Sequence, residues 1–277
     1  MSEGHSGMQD EDRTHSERIM QAPAKVNLFL DVRDRRADGY HDIVSVFQEV
    51  DLCDQLRAAP ADGEGVECIC TSQEVPQGED NLVVRAVRRL QAEAGRRDGI
   101  CFHLEKRIPS GAGLGGGSSD AAAALRLAND LWGLGLERAD LVRIGAEIGA
   151  DVPFFMYGGT CMCEGRGERV TPLPEAVGLR LVLVIPPWRT DTATAYAALR
   201  GRRDPQPVAP FIDALRRGDR NAIACESYNR FEEVAGALEP RHDVLREGLE
   251  HCGALCARLS GSGSALWCLL PDRKSVV

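Results

Sequence analysis

The sequence contains very little lysine. Of its 33 basic residues only three are lysines, and the others are arginines. Lys25 and Lys106 lie in interior segments of the chain, whereas Lys274 is close to its end. A lysine kept where the chain otherwise uses arginine indicates a role for a compact ammonium group that a planar guanidinium cannot fill. Lys25 and Lys106 are therefore candidate functional residues.

Long runs of charge of one sign are absent, and the formal net charge is −9. This balance argues against a nucleic-acid surface, which needs a basic stripe to replace the counterions around phosphates. A small anionic ligand is still compatible, because a local pocket can be positive on an acidic protein. No apolar stretch is long enough to span a membrane, and the polar N-terminal segment does not resemble a secretory signal. We therefore expect a cytoplasmic protein without nucleic-acid or membrane partners.

The ten cysteines lack the repeated C-x-x-C spacing of a zinc site, and no cluster of histidines completes a ligand set. Two C-x-C pairs occur, Cys68 with Cys70 and Cys161 with Cys163. In a strand this spacing places both thiols on one face. We interpret them as core thiols of a protein in a reducing compartment, and we expect no metal held by a cage of protein ligands alone.

Apolar residues alternate with polar ones from Ala24 to Val32, which predicts a half-buried strand with Lys25 and Asn27 on one face. Residues 1–17 are predicted to form a disordered tail. Other strands are predicted at Ile43–Leu52, Val66–Cys70, Ile100–Leu104, Leu179–Ile185, Ala254–Leu259 and Ala265–Leu270. Helices are predicted from the Asn81 cap to Gly95 and at Asp120–Leu131, Arg138–Ile148, Phe211–Arg217, Arg230–Leu238 and His242–Cys252. Strands and helices mix without strict alternation, which favours an α+β fold.

Five glycines fall within seven residues, at Gly111, Gly113 and Gly115–Gly117, directly before a predicted helix start at Ser118 and Ser119. Glycines let the backbone approach a phosphate closely, and the N-terminus of a helix supplies free N–H groups and partial positive charge. A flexible linker is the alternative, but linkers are not placed between a strand and a strong helix. The segment therefore predicts an anion-binding loop.

The loop alone does not identify the anion that it binds. The glycines satisfy the G-x-G-x-x-G pattern of dinucleotide-binding proteins, so an NAD-dependent oxidoreductase is one alternative. A Walker A motif is excluded because Gly117 stands where that motif has its lysine. A phosphate-binding lysine would have to come from another segment, and Lys106 is near in sequence.

The segment Pro109–Ser119 resembles the phosphate-binding motif of the GHMP kinases, which include galactokinase and the homoserine, mevalonate and phosphomevalonate kinases. Three further segments, Pro23–Leu30, Ala37–His41 and Gly149–Phe154, narrow the resemblance to the diphosphocytidyl-methylerythritol kinase family of the non-mevalonate isoprenoid pathway. The resemblance covers roughly residues 22 to 270, with the motifs in the same order.

The resemblance implies a two-domain α+β GHMP kinase fold with the active site in the interdomain cleft. It implies an N-terminal ATP-binding domain over residues 18–157 and a C-terminal substrate-binding domain over 158–277. ATP would be the phosphoryl donor, Mg²⁺ would accompany it, and a cytidine-diphosphate-linked polyol would be the acceptor. The implied reaction is the phosphorylation of the 2-hydroxyl of that polyol, a step of isoprenoid precursor biosynthesis. The oligomeric state is left open.

The resemblance also implies site residues. The catalytic pair would be Lys25 and Asp151, with Asp151 kept ionised by Lys25. The expected ATP-binding residues are Pro109, Ser110, Gly111, Ala112, Gly113, Leu114, Gly115, Gly116, Gly117, Ser118 and Ser119, together with Lys106 and Asn81. The expected substrate-binding residues are Asn27, Tyr40, His41, Thr192, Tyr196, Gly261 and Gly263, with the two tyrosines on either side of the cytosine ring.

Each assignment has an ordinary structural alternative. Asp151 could be only a helix N-cap, Lys25 a solvated strand lysine, and Tyr40 and His41 common turn residues. The sequence also departs from the family pattern at Pro271–Val277, where a helix and a final strand are expected. The end is therefore expected to be truncated or replaced.

Two other functions compete with the implied one. Another GHMP kinase, acting on homoserine or phosphomevalonate, is disfavoured by the segment Ala37–His41. A catalytically silent metabolite sensor on the same fold is disfavoured because both Lys25 and Asp151 are present.

Overall fold

A computed structural model describes residues 17–174, 178–199, 201 and 203–271. Most of the predicted tail, and the residues beyond Pro271, lie outside the described residues. Within them the elements are, in chain order, β1 Arg18–Arg35, β2 His41–Ala61, β3 Val66–Cys70, α1 Leu82–Ala94, β4 Gly99–Glu105, α2 Gly116–Leu131, α3 Arg138–Ile148, α4 Val152–Tyr157, β5 Thr160–Gly165, β6 Arg169–Pro172, β7 Leu181–Val184, α5 Thr192–Ala198, α6 Ala209–Arg217, α7 Arg220–Glu226, β8 Tyr228–Asn229, α8 Glu232–Leu238, α9 Arg241–His251, β9 Cys256–Leu259 and β10 Leu266–Leu269.

The chain divides into two compact units whose segments interleave along the sequence. Among the described residues, the first contains 17–24, 51–110 and 116–156. The second contains 25–50, 111–115 and the described residues from 157 onward. Most of the glycine loop therefore lies in the same unit as Lys25. The expected ATP-binding and substrate-binding domains, and the cleft between them, stay predictions.

In the first unit, β4 lies between β3, to which it is parallel, and the second half of β2, to which it is antiparallel. Helices α1, α2 and α3 pack against one another. Alanines at 121–124 are buried on α2, and their small side chains let the neighbouring helices approach closely. Helix α1 begins at the predicted cap, Asn81, and ends at Gly95, which adopts a left-handed conformation.

In the second unit, the first half of β2 pairs with β5, and β5 pairs with β6, both antiparallel. Strand β1 pairs in parallel with the short β8. A separate antiparallel sheet has the order β7-β10-β9. Leu30 and Val32 of β1 belong to a core cluster with Phe231 and with residues of α5, α8, β9 and β10, including Leu259. The sheets are largely antiparallel, and helices and strands do not alternate strictly along the chain. These features confirm the α+β class.

Most predicted elements are present, and the differences are informative. Strands β1 and β2 extend well beyond their predicted ends, because cross-strand pairing continues where the apolar alternation has stopped. Strand β5 was not predicted, but it contains Cys161 and Cys163, both buried on one face as the C-x-C spacing indicated. Helix α2 begins at Gly116, before the predicted start at Ser118. A Cβ on Gly116 would lie 2.9 Å from the Ile108 side chain, so close packing selects glycine there over a better helix former.

Candidate active site

The glycine loop has a backbone that only glycine adopts easily. Gly111, Gly113 and Gly115 have φ values of 68°, 80° and 70°, in the left-handed region that disfavours other residues. They alternate with Ala112 and Leu114, whose side chains are buried. The loop leads directly into α2, whose first N–H groups have no partner within the helix itself. This geometry is suited to the anion binding predicted from the sequence.

A second glycine-rich loop, Ser260–Ser264, packs on the first one within the second unit. A Cβ on Gly113 would lie 2.0 Å from the backbone oxygen of Ser260, so this contact requires glycine. The Ser260 hydroxyl donates to the Gly113 carbonyl at 2.8 Å, and the Ala265 amide donates to the Ala112 carbonyl at 3.1 Å. The two loops thus fix each other's backbone.

Lys25 lies on β1 beside the glycine loop and is 3% exposed. Its Nζ donates to the Asn27 Oδ1 at 2.7 Å and to the Gly113 carbonyl at 3.0 Å, and it lies 4.7 Å from the centre of the Phe47 ring. Its backbone amide donates to the Leu114 carbonyl at 3.0 Å. The predicted sharing of a strand face by Lys25 and Asn27 is confirmed, and the contact with Gly113 anchors the lysine at the loop.

A chain of hydrogen bonds orients the Asn27 amide. Its Nδ2 donates to the Ser45 hydroxyl at 2.9 Å, and that hydroxyl donates to the Phe29 carbonyl at 2.5 Å. The buried Trp267 indole donates to the Asn27 backbone carbonyl at 2.8 Å. Because Nδ2 is committed as a donor to Ser45, Oδ1 faces Lys25 as an acceptor. Asn27 thereby holds the lysine side chain in one position.

Asn229 supports the second loop, and sequence reasoning did not identify it. Its Nδ2 donates to the carbonyls of Leu259 and Gly261, both at 2.8 Å, and its Oδ1 accepts from the Phe231 amide at 3.0 Å. The residue is 2% exposed. No local motif marks it, because the two carbonyls that it supports come from a distant segment of the chain.

Aromatic residues predicted to hold the acceptor lie together in the second unit. The His41 ring stacks on the Tyr196 ring of α5, with centres 5.2 Å apart. Tyr40 is 58% exposed, and the Arg166 guanidinium lies 5.2 Å from its ring centre. Arg166 is a neighbour that sequence reasoning missed, because it comes from the β5–β6 turn. The exposed Tyr40 face and the His41–Tyr196 stack offer surfaces on which a planar ring can stack.

Thr192, at the start of α5, connects this aromatic cluster to the second glycine loop. Its hydroxyl lies 3.0 Å from the Ser262 hydroxyl. Asp191 caps α5 by accepting from the Thr194 amide and hydroxyl, both at 2.7 Å, and these bonds lower the pKa of its carboxyl. A continuous set of contacts thus leads from His41 through α5 and the two loops to Lys25.

Asn81 and Lys106, two of the predicted ATP-binding residues in the first unit, have structural partners there. Asn81 caps α1 by accepting from the Val83 amide at 2.8 Å, and its Nδ2 donates to the Pro76 carbonyl. The Lys106 Nζ contacts two buried carboxylates, those of Asp54 and Asp120, the latter at 2.8 Å. Both nucleotide roles stay predictions.

The charges around Lys106 perturb its titration and that of Asp120. Burial lowers the pKa of Lys106, but the charges and hydrogen bonds of Asp120 and Asp54 outweigh it and leave the pKa raised. Burial raises the pKa of Asp120 to about 7, with the Asp54 charge adding to the increase and Lys106 opposing it. Lys106 is therefore a charged centre shared by two acids within the first unit.

Asp151 directly precedes α4 and is partly buried. Its position is that of a helix N-cap, so the ordinary alternative weighed from the sequence is compatible with its place in the fold. Its pairing with Lys25 stays a prediction. Among the described residues, no group of three or more His, Cys, Asp or Glu side chains could hold a metal ion. No helix in that part of the chain has the length and apolar character needed to cross a membrane.

Comparison with known proteins places this geometry in a family. The model of the GHMP kinases N terminal domain matches residues 81–159, and the model of the GHMP kinases C terminal matches residues 211–276. The 4-diphosphocytidyl-2-C-methyl-D-erythritol kinase of Pelotomaculum thermopropionicum is 39% identical over 256 residues, covering 92% of this chain and 89% of that protein.

Solved structures agree with these matches. A crystal structure of 4-(cytidine 5'-diphospho)-2C-methyl-D-erythritol kinase has 37% identity and a TM-score of 0.77, covering 92% of this chain and 91% of that one. The homoserine kinase from Cytophaga hutchinsonii also has a TM-score of 0.77, covering 99% and 89% of the two chains. Its identity is 22%, so it supports the fold alone.

Proposed function

Because the chain belongs to the 4-diphosphocytidyl-2-C-methyl-D-erythritol kinase family of GHMP kinases, we propose that it transfers the γ-phosphoryl group of ATP to the 2-hydroxyl of 4-diphosphocytidyl-2-C-methyl-D-erythritol. The observation that carries this proposal is the contact of the Lys25 ammonium with the glycine loop. It places the scarcest basic residue type of the chain beside a loop suited to phosphates. The reaction would belong to isoprenoid precursor biosynthesis, and the enzyme would work in the cytoplasm.

The ATP phosphates would bind the glycine loop and the N-terminus of α2. The left-handed glycines at 111, 113 and 115 keep side chains away from the approaching phosphates. The first N–H groups of α2, from Gly116 to Ser119, supply donors and the positive end of the helix dipole. Gly117 is exposed, so the start of the helix is accessible.

Lys25 would stabilise the charge of the phosphoryl group during transfer. Phosphoryl transfer depends mainly on positioning and on neutralisation of negative charge. Asn27 and the Gly113 carbonyl hold the ammonium in place, so its position is set before the substrate arrives. Asp151 would orient the acceptor hydroxyl and accept its proton.

The cytosine end of the acceptor would bind Tyr40, His41 and Tyr196. The His41 Nδ1 lies 2.9 Å from the Arg33 carbonyl oxygen, which can only accept, so Nδ1 carries the proton in this hydrogen bond. A neutral ring then presents Nε2 as an acceptor. Cytosine offers an amino donor at the edge where uracil offers an oxygen. His41 would therefore distinguish cytidine from uridine, while the two tyrosines provide stacking surfaces. Thr192, Gly261 and Gly263 would lie near the diphosphate and polyol.

Mg²⁺ would arrive bound to the nucleotide. It prefers oxygen ligands and is usually held by phosphates and few protein groups. When bound, the ion would neutralise part of the charge on the ATP phosphates.

The proposal is tested by measuring ADP release from purified protein with Mg-ATP and a panel of acceptors. We expect release with the cytidine-diphosphate-linked methylerythritol and not with homoserine, mevalonate or phosphomevalonate. Phosphorus NMR of the product should show a new phosphomonoester on carbon 2. Release with homoserine alone would overturn the proposed acceptor, and a thermal shift with NAD but not with ATP would overturn the kinase activity.

A further inference from the structure

The Asp54–Lys106–Asp120 cluster contains two acidic side chains but only one basic side chain to neutralise them. The side chains of Asp54, Lys106 and Asp120 are 0%, 6% and 3% exposed. One ammonium therefore lies between two buried carboxyl groups. Two carboxylates that share a site do not both ionise easily, because burial and mutual repulsion each favour the protonated form of one of them.

Asp54 is the better stabilised of the two carboxylates. Its Oδ1 accepts from the amides of Arg107 at 2.5 Å and Ile108 at 2.8 Å, while its Oδ2 accepts from Lys106. Backbone donors favour the charged form of an acid. Asp54 thus ties the segment before the glycine loop to β2.

Asp120 has fewer hydrogen-bond donors around it than Asp54 has. Its Oδ2 accepts from Lys106, but its Oδ1 is buried without a hydrogen-bond partner among the described residues, as is the neighbouring Ser119 hydroxyl. Buried polar atoms without partners are rare and call for an explanation. A proton on Asp120 provides one, because a protonated carboxyl is a donor and lies within hydrogen-bonding reach of Asp54.

The cluster lies directly beneath the start of α2. Asp120 is the fifth residue of α2, about 6 Å along the axis from Gly116. A Cβ on Gly116 would lie 3.1 Å from the Lys106 Nζ, so the ammonium packs against the first residue of the helix. Anions bound at the helix start would therefore lie close to the cluster. Their charge would act on it through protein of low dielectric constant, where electrostatic interactions are strong.

We propose that the binding of nucleotide phosphates at the start of α2 draws a proton from solvent onto Asp120, and that Lys106 is a positioning residue for this helix start. The proton forms an O–H bond on the carboxyl group of Asp120, and no bond of the nucleotide changes. The added negative charge of the phosphates favours the neutral acid over the buried anion. This inference rests on the proposed function, because it requires the nucleotide to bind at that place.

Other groups that face Asp120 do not supply the proton. Lys106 follows β4, Asp54 lies on β2 and Cys68 lies on β3. Burial raises the pKa of the Cys68 thiol to about 12, so it is neutral near pH 7 and stays so. Asp120 itself, with a pKa raised by burial to about 7, is partly ionised there and has capacity to bind a proton.

The test is calorimetric titration of the full chain with Mg-ADP at pH 7, in buffers of different ionisation enthalpy. The slope of apparent enthalpy against buffer enthalpy gives the protons taken up. We expect uptake of roughly half a proton per nucleotide, because about half of Asp120 is already protonated at this pH. Asp120→Asn should abolish the uptake and leave the Kd for Mg-ADP within a few fold. Asp130→Asn, an exposed change on the same helix, should retain it.

A second variant keeps the test decisive if Asp120→Asn does not fold. Asp120→Glu should shift the pH of maximal uptake, whereas a proton on any other group would leave that pH unchanged. Binding without uptake at pH 6, 7 and 8, or full uptake in folded Asp120→Asn, overturns this inference alone. Absence of Mg-ADP binding in the wild-type chain would overturn the proposed function as well.

Discussion

The side chains of the two interior lysines are both buried, but they have contrasting surroundings. Lys25, in the second unit, donates to an amide oxygen and a backbone carbonyl. Lys106, in the first unit, contacts two buried carboxylates. The charge of Lys106 is therefore compensated by two acidic side chains. Its ammonium packs against the start of α2. Lys25 instead is anchored at the glycine loop through the Gly113 carbonyl.

The contrast indicates two uses of the same side chain. A buried ammonium between two acids supports structure, because removing it leaves buried charges without compensation. The Lys25 ammonium is instead anchored by an amide oxygen and a backbone carbonyl at a loop suited to phosphates. A sequence that uses arginine nearly everywhere has kept lysine at both places, where a compact cation fits and a guanidinium fork does not.

The largest expected effect is on the Lys106 side of this comparison. Lys106→Met leaves Asp54 and Asp120 facing each other, and we expect the free energy of unfolding to fall by about 3–5 kcal/mol. Urea denaturation followed by circular dichroism measures this. Adding Asp120→Asn to Lys106→Met should restore part of the loss, since one of the two charges is removed. Unchanged stability of Lys106→Met would show that the cluster does not support the fold.

On the Lys25 side, Asp151→Asn keeps the size of the side chain and its ability to cap α4, but removes its charge. We expect turnover to fall roughly a hundredfold. The affinity for Mg-ATP and the melting temperature should change little. Steady-state kinetics beside a thermal melt separates these effects. Near-normal turnover would reduce Asp151 to a helix cap.

Substrate recognition should be affected less than chemistry. Tyr40→Ala removes an exposed aromatic face, and base stacking is worth about 1–3 kcal/mol, so kcat/KM should fall roughly five- to a hundredfold. Tyr40→Phe retains the face and should be mild. His41→Ala should reduce activity more with the cytidine-linked than with the uridine-linked acceptor. Equal loss with both would exclude edge recognition by His41.

The smallest effect concerns pH and the unliganded protein. The folded pKa of Asp120 lies above its unfolded value, so the folded state binds more protons and stability falls as pH rises from about 4 to 7. The difference between wild type and Asp120→Asn should therefore change by up to about 1.4 kcal/mol per pH unit in this window. Urea denaturation at pH 5, 6 and 7 checks it. A constant difference would mean that Asp120 does not titrate there.

Local patterns predicted much of this structure. Helix α3 and strand β3 have the predicted bounds, and Asn81 and Gly95 end α1 as expected. These features depend on propensity, caps and periodicity within a few residues. The hydrogen bond between Lys25 and Asn27 follows from the alternation of a single strand.

Contacts between distant segments could not be predicted in this way. Asp54 precedes Lys106 by 52 residues, and Asn229 binds a loop 30 residues further on. Nothing near Asp54 or Asn229 distinguishes it from an ordinary surface polar residue. Lysine scarcity marked Lys106 as functional, but only the fold shows that two acids surround it.

The most direct test of the contrast is the rate of a single turnover in Lys25→Arg, measured by rapid quench with saturating Mg-ATP and acceptor. The variant keeps the charge but replaces the compact ammonium that fits between Asn27 and Gly113. We predict a transfer rate at least about a hundredfold below wild type, with the Kd for Mg-ADP within a few fold. A wild-type transfer rate in this variant would contradict it.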